Sequence, residues 1–150
     1  MIYRSQIEEF FNGGRTAIVA VSRDPKKFSN AIFRFLIDNG LDVIPVNSTA
    51  EEIYGQECYA SIPELPDDIK KLLIIVPPAG SLDIVRIAKE KGITAVWFQK
   101  NCNTEDALSF ALENFENVIH GECIFMWAEP VKGVHKFHRT LRRIFSGLPK

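Results

Sequence analysis

Apolar and polar positions follow two rhythms along this chain of 150 residues. Residues 16–21 (TAIVAV) are nearly all apolar and β-rich, with Gly13-Gly14 just before them. Such a run predicts a strand buried on both faces. Phe28, Ile32, Phe35 and Leu36 then recur at helical spacing, and Asn39-Gly40 supplies a helix stop. Further short strands are predicted at 42–46 (DVIPV), 71–76 (KLLIIV), 95–98 (AVWF) and 117–120 (NVIH). Ser81 can cap a helix carrying Leu82, Val85 and Ala88 and ended by Lys91-Gly92; another helix opens at Thr104 and runs to about Phe115. The first ten residues read as a short amphipathic helix. The connection 47–70 is long, so helical turns are expected at 51–54 and 63–65.

Strands alternating with helices imply right-handed crossovers and an α/β fold: a Rossmann-like open parallel sheet of about five strands, with helices on both faces. The first unit, 16–46, is a βαβ of mononucleotide-binding size. The length suits one domain. With 46% hydrophobic and 25% charged residues, it can bury a core without disulfide or metal staples. No apolar stretch approaches the roughly 18–20 residues of a membrane span, and the N-terminus lacks the pattern of a secretory signal. The expected compartment is therefore the cytoplasm. Cys58, Cys102 and Cys123 are odd in number and widely spaced, which argues against a disulfide framework or a zinc site. His120-x-x-Cys123 and His135-x-x-His138 do not make a metal site on their own.

In an open parallel sheet, ligands sit outside the carboxyl ends of the strands, where the winding reverses. The segment after the first strand reads Ser22-Arg23-Asp24-Pro25-Lys26-Lys27-Phe28-Ser29. It has no glycine, so the Gly-x-Gly-x-x-Gly turn of nicotinamide cofactors is absent. The second strand leads into Val46-Asn47, with no acid for a ribose hydroxyl pair. Cations and hydroxyls before a helix N-terminus instead suit a phosphate-bearing anion. The alternative is that Ser29 caps the helix and the lysines are solvated. Val76-Pro77-Pro78-Ala79-Gly80 is rigid and poor in N–H groups, fit to face a flat ring or a slim alkyl-amide chain, or simply to end a strand.

Residues 17–29 (AIVAVSRDPKKFS) and 39–47 (NGLDVIPVN) resemble the stand-alone CoA-binding domain family, related to the nucleotide-binding half of the succinyl-CoA synthetase α subunit. Ile53-Tyr54-Gly55, Trp97-Phe98-Gln99 and Gly121-Glu122-Cys123 add to the likeness, and Val76-Pro77-Pro78 is similar to the synthetase's proline-rich loop. The resemblance covers about 10–128. It implies a single Rossmann-like domain over 1–150 that binds coenzyme A. Carried over by position, Ser22, Arg23, Lys27 and Ser29 would hold phosphates. Pro45, Val46 and Asn47 would flank the adenosine half, and Val76, Pro77 and Pro78 would line the remaining cleft. The family usually has glycine where this chain has Ala20, which bears on ligand fit. The implied role is that of a CoA or acyl-CoA carrier or sensor. The alternatives are a small CoA- or nucleotide-dependent enzyme, or a regulatory module that has lost its ligand. Cys102, Cys123 and His120 sit near strand ends, but no complete catalytic constellation is visible.

The formal charge of −1 gives no general case for nucleic-acid binding, yet it is unevenly spread: −7 over residues 1–130 and +6 over 131–150. Val134, Phe137, Leu141, Ile144 and Phe145 lie at helical spacing, so the 129–150 tail is expected to hold a basic amphipathic helix over 133–145. That helix would dock on the acidic core, meet a second copy or another protein, supplement the phosphate site, or form a membrane-surface or nucleic-acid patch. If it supplements the phosphate site, deleting residues 131–150 weakens CoA affinity. Unchanged affinity in a folded truncation removes that role.

Overall fold

The structure is a computed structural model that describes residues 2–128; the expected C-terminal helix lies outside the described residues. The chain runs α1 (Arg4–Phe11), β1 (Thr16–Val19), α2 (Phe28–Asp38), β2 (Val43–Val46), β3 (Glu52–Ile53), β4 (Gln56–Glu57), β5 (Lys71–Ile74), α3 (Ser81–Lys91), β6 (Ala95–Phe98), α4 (Glu105–Asn114) and β7 (Asn117–Ile119). Five strands form a wholly parallel sheet in the order β2-β1-β5-β6-β7. This is the α/β architecture that the alternating pattern predicts. No described helix is long and apolar enough to cross a membrane.

Every residue of the five strands is buried, which is why they read as continuous apolar runs. Alternate side chains enter two different cores. Ala17, Val19, Leu72, Ile74, Val96 and Phe98 pack with Val85 and Ala88 of α3 and Ala107 and Ala111 of α4. Ile18, Leu73, Trp97 and Ile119 pack with Ile7 and Phe10 of α1 and Ile32, Phe33 and Leu36 of α2. Trp97 is fully buried between the rings of Phe10 and Phe11, at 5.4 and 5.7 Å between centroids. Its indole N–H donates to the Glu122 carbonyl at 3.2 Å.

Lys71 opens β5 and is buried in the second core beneath α1. Its ammonium donates to the carbonyls of Phe10 (2.9 Å), Asn12 (3.3 Å) and Gly13. The three donors of a lysine thus meet three carbonyls at and just beyond the end of a helix, where intrahelical partners run out. Burial pulls its pKa below the usual lysine value.

Three local expectations need correction. The first strand does not continue to residue 21. It ends at Val19, and Ala20 turns into the left-handed region at φ 63°. Val21 then rejoins the ladder through its N–H to the Val46 carbonyl at 3.2 Å. The third strand likewise ends at Ile74 rather than residue 76. Residues 51–54 form no helical turn. They start an antiparallel hairpin of β3 and β4, reversed at Tyr54 (φ 50°) and Gly55 (φ 74°). Two consecutive positive φ angles are what the tightest hairpins demand, and Tyr-Gly is an uncommon way to supply them. The expected turn at 63–65 exists as a 3-10 segment, Ile62–Glu64.

Left-handed backbone costs a residue with a Cβ about 1 kcal/mol. Ala20→Gly is therefore expected to raise stability slightly, by at most about 0.6 kcal/mol once the added freedom of the unfolded glycine, roughly 0.4–1 kcal/mol, is subtracted. Urea denaturation checks this; a lowered midpoint would show that Ala20 is not strained.

Candidate functional site

The chain leaves β1 for β2 on one side and later builds β5, β6 and β7 on the other. The loops after β1 and β5 therefore part company, and a crevice opens between them. A cleft of about 400 Å³ occupies it. Ser22, Lys27, Phe28 and Ser29 form one wall; Ile75, Val76, Pro77 and Pro78 form the other; Asn101 and Cys102, after β6, close the end. Six of the residues that the sequence marked converge here: Ser22, Lys27, Ser29, Val76, Pro77 and Pro78.

The first wall is braced by its own side chains. The Ser22 N–H donates to Ser29 Oγ at 3.0 Å, and Asn30 Nδ2 donates to the Ser22 carbonyl at 2.8 Å. Ser22 Oγ accepts from the Asp24 N–H at 3.1 Å, and Asp24 Oδ1 from the Lys26 N–H at 2.9 Å. Ser29 is thus not the cap of α2. It lies inside the first turn and holds the loop. The cap position is Lys27, which offers no side-chain acceptor, and the first turn carries no acid. The N–H groups of Phe28, Ser29 and Asn30 find no acceptor among the described residues. Arg23, Lys26 and Lys27 are exposed and have no ion-pair partner among those residues. Open N–H groups at a helix start, with unpaired cations beside them, are chemically suited to an anion.

The second wall is tied to the end of the cleft through Ser81. This residue is fully buried inside the first turn of α3 rather than capping it. Its hydroxyl donates to the Pro78 carbonyl at 2.6 Å and accepts from the Thr104 N–H at 3.2 Å. Thr104 does cap α4 as expected, accepting from the Ala107 N–H. Phe28 projects at the cleft rim, 54% exposed, with its ring 5.8 Å from that of Phe125. The helical periodicity that included Phe28 concealed this, because the first residue of a helix need not face the core.

The other four marked residues lie elsewhere. Pro45 and Val46 are buried in β2. Asn47 is committed to its own turn: Nδ2 donates to the Val21 carbonyl at 2.7 Å, while Oδ1 accepts from the N–H groups of Thr49 and Ala50 at 2.8 and 2.9 Å. Arg23 lines a second cleft of about 390 Å³ on the far side of the same loop, with Pro25, Asn30, Arg34, Glu52, Ile53 and Tyr54. Ala20 is exposed and lines neither cleft.

The main cleft is lined by no carboxylate and no imidazole among the described residues. Its one thiol, Cys102, is pushed above the ordinary cysteine value by burial. His120 lies past β7, outside the cleft, and burial lowers its pKa. Cys123 Sγ accepts from Gln99 Nε2 at 3.1 Å. No group of three metal-ligating side chains occurs among the described residues.

A family profile described as a CoA binding domain matches residues 14–128. The acetate–CoA ligase (ADP-forming) II subunit alpha of Pyrococcus furiosus is 33% identical over 91 residues, which are 60% of this chain and 20% of that subunit. The uncharacterized protein YneT of Bacillus subtilis is 25% identical over 122 residues, 81% of this chain and 90% of its own length. A hypothetical protein from Pyrococcus horikoshii OT3 superposes with a TM-score of 0.78 at 30% identity, covering 88% of this chain and 94% of that one. This chain spans about a fifth or less of the first ligase relatives it matches. It belongs to the CoA-binding domain family.

A raised thiol pKa leaves little thiolate at neutral pH. In a Cys58→Ser, Cys123→Ser background, Cys102 is expected to alkylate with iodoacetamide more slowly than free cysteine at pH 7.5, and to speed up as the pH passes the ordinary thiol value. A rate equal to that of free cysteine would contradict the burial.

Proposed function

We propose that this member of the CoA-binding domain family binds coenzyme A, or an acyl-CoA, in the cleft between the loops after β1 and β5. The observation that carries the reading is the open N-terminus of α2. Three N–H groups, the hydroxyl-braced Ser22–Ser29 turn and the side chain of Lys27 meet at the mouth of a cleft whose other wall is proline, with Arg23 on the same loop. In this reading the ligand's diphosphate sits against the helix N-terminus. Each charge-assisted contact there contributes roughly 1.5–3 kcal/mol. The pantetheine arm lies along Ile75 to Pro78, where two prolines remove N–H groups that a slim chain would leave unpaired. Phe28 covers it from the rim. Pro45 and Val46 act from within β2 by shaping the floor beside the adenosine half, and Asn47 by fixing the turn that follows.

The role that fits is a carrier or sensor. Among the described residues the cleft offers a half-buried thiol and prolines rather than an acid–base pair. Ala20 does not disfavour the ligand: its methyl lies outside both clefts, so its consequence falls on backbone strain instead.

CoA at 100-fold its Kd is expected to stabilise the protein by roughly 2.7 kcal/mol, visible as a rise in melting temperature. The Ser22→Asp, Arg23→Glu double variant is expected to fold but to lose that rise. A wild-type protein whose melting temperature ignores CoA would defeat the proposal.

A further inference from the structure

We infer that Cys102 is a redox site of the main cleft: it exchanges with the disulfide form of a CoA-type ligand and holds one coenzyme covalently, as a mixed disulfide. The inference rests on the CoA reading and adds to it a covalent, reversible state of the same site.

The three cysteines are all free and half-buried. Cys102 is the one that lines the main cleft, whose end it closes together with Asn101. Cys58 and Cys123 lie outside its lining, and Cys123 Sγ is already engaged by Gln99 Nε2 at 3.1 Å. The backbone of Cys102 is anchored, its N–H donating to the Gln99 carbonyl at 2.9 Å. Thr104, two residues on, is tied through the Ser81 hydroxyl to the Pro78 carbonyl of the opposite wall. The sulfur itself makes no hydrogen bond among the described residues. It is held in position and left uncommitted.

The ligand's own chemistry supplies the partner. With its diphosphate against the N-terminus of α2, a CoA-type molecule lays its arm along Ile75 to Pro78, and that arm ends in sulfur. No carboxylate or imidazole lines the cleft among the described residues. Acyl transfer calls for a base and an oxyanion site, whereas exchange between sulfurs needs only a thiolate in line with a disulfide. The step is balanced as it stands. Cys102 gives its proton to solvent, and its thiolate attacks one sulfur of a symmetric coenzyme disulfide. The new S–S bond forms as the old one breaks. The second coenzyme leaves as a thiolate and takes up a proton. Cys102 is oxidised as the departing sulfur is reduced, and a free thiol reverses the reaction.

Burial sets the selectivity. It raises the thiol above the ordinary cysteine value, so an untethered disulfide meets little thiolate at neutral pH. A disulfide held in the cleft reacts as though within one molecule, which offsets that deficit. Capture is thereby reserved for disulfides that carry the group the cleft binds.

The test treats the full chain carrying Cys58→Ser and Cys123→Ser with coenzyme A disulfide or with glutathione disulfide, at equal concentration and pH 7.5, and follows intact mass. The coenzyme adduct is expected to form at least about tenfold faster than the glutathione adduct, a small part of the advantage that tethering can give. Excess of a CoA thioether, which binds but cannot exchange, is expected to slow it, and dithiothreitol to remove it. In the wild-type chain, peptide mapping is expected to place the adduct on Cys102, and Cys102→Ser to abolish it. Equal rates for the two disulfides, or an adduct mapping to Cys58 or Cys123, overturns the capture; a melting temperature that still rises with CoA then leaves the CoA reading standing. A protein indifferent to both CoA and its disulfide overturns both.

Discussion

A parallel sheet must be covered on both faces, because each right-handed crossover lays a helix against one of them. In this chain α1 and α2 cover one face and α3 and α4 the other. That arrangement requires the winding to reverse next to β1. The strand itself is wholly buried, flanked by β2 and β5, and cannot shift without disturbing both cores. The crevice at its carboxyl end is therefore a consequence of closing the hydrophobic core. The loops that border it inherit the rigidity of the strands they leave.

The two ends of the sheet treat the exposed groups of their helices in opposite ways. At the amino end, the carbonyls left over at the close of α1 are met from inside by the Lys71 ammonium. At the carboxyl end, the N–H groups that open α2 are left unmatched, while the loop before them is braced by Ser29 and Asn30. One end is satisfied internally; at the other the loop is held by its own side chains while the N–H groups stay open. In the proposed reading, a turn already held in one shape loses less freedom on binding, which raises affinity without adding a contact.

Where the sequence misled, the cause was a hydrogen bond between residues distant along the chain or a strain that periodicity does not register. Ser29 and Ser81 stand where capping residues stand, but their hydroxyls are taken by Ser22 and by Pro78 with Thr104. The run 16–21 looked like an unbroken strand because Ala20 is as apolar as its neighbours; only its φ of 63° reveals the turn. The hairpin after β2 was missed because strands of two residues are too short to show alternation. Asn47 carried the right neighbourhood and a different duty, since its amide closes a turn rather than facing either cleft. The pairing of Arg34 with Tyr54 joins a helix to a hairpin twenty positions away, and no local pattern announces it.

The amino-acid sequence alone determined the class of fold, the positions of the five strands and four helices, the cationic turn and the proline wall. These follow from local periodicity, from backbone restrictions of proline, and from the charge of neighbouring side chains. The tertiary structure decided which hydroxyls brace and which stay free, that Lys71 serves a helix end, that the first loop borders two clefts, and that Arg34 and Arg23 line the same one. Those outcomes depend on directions in space between elements far apart in the chain, and such directions are fixed only when the two cores close.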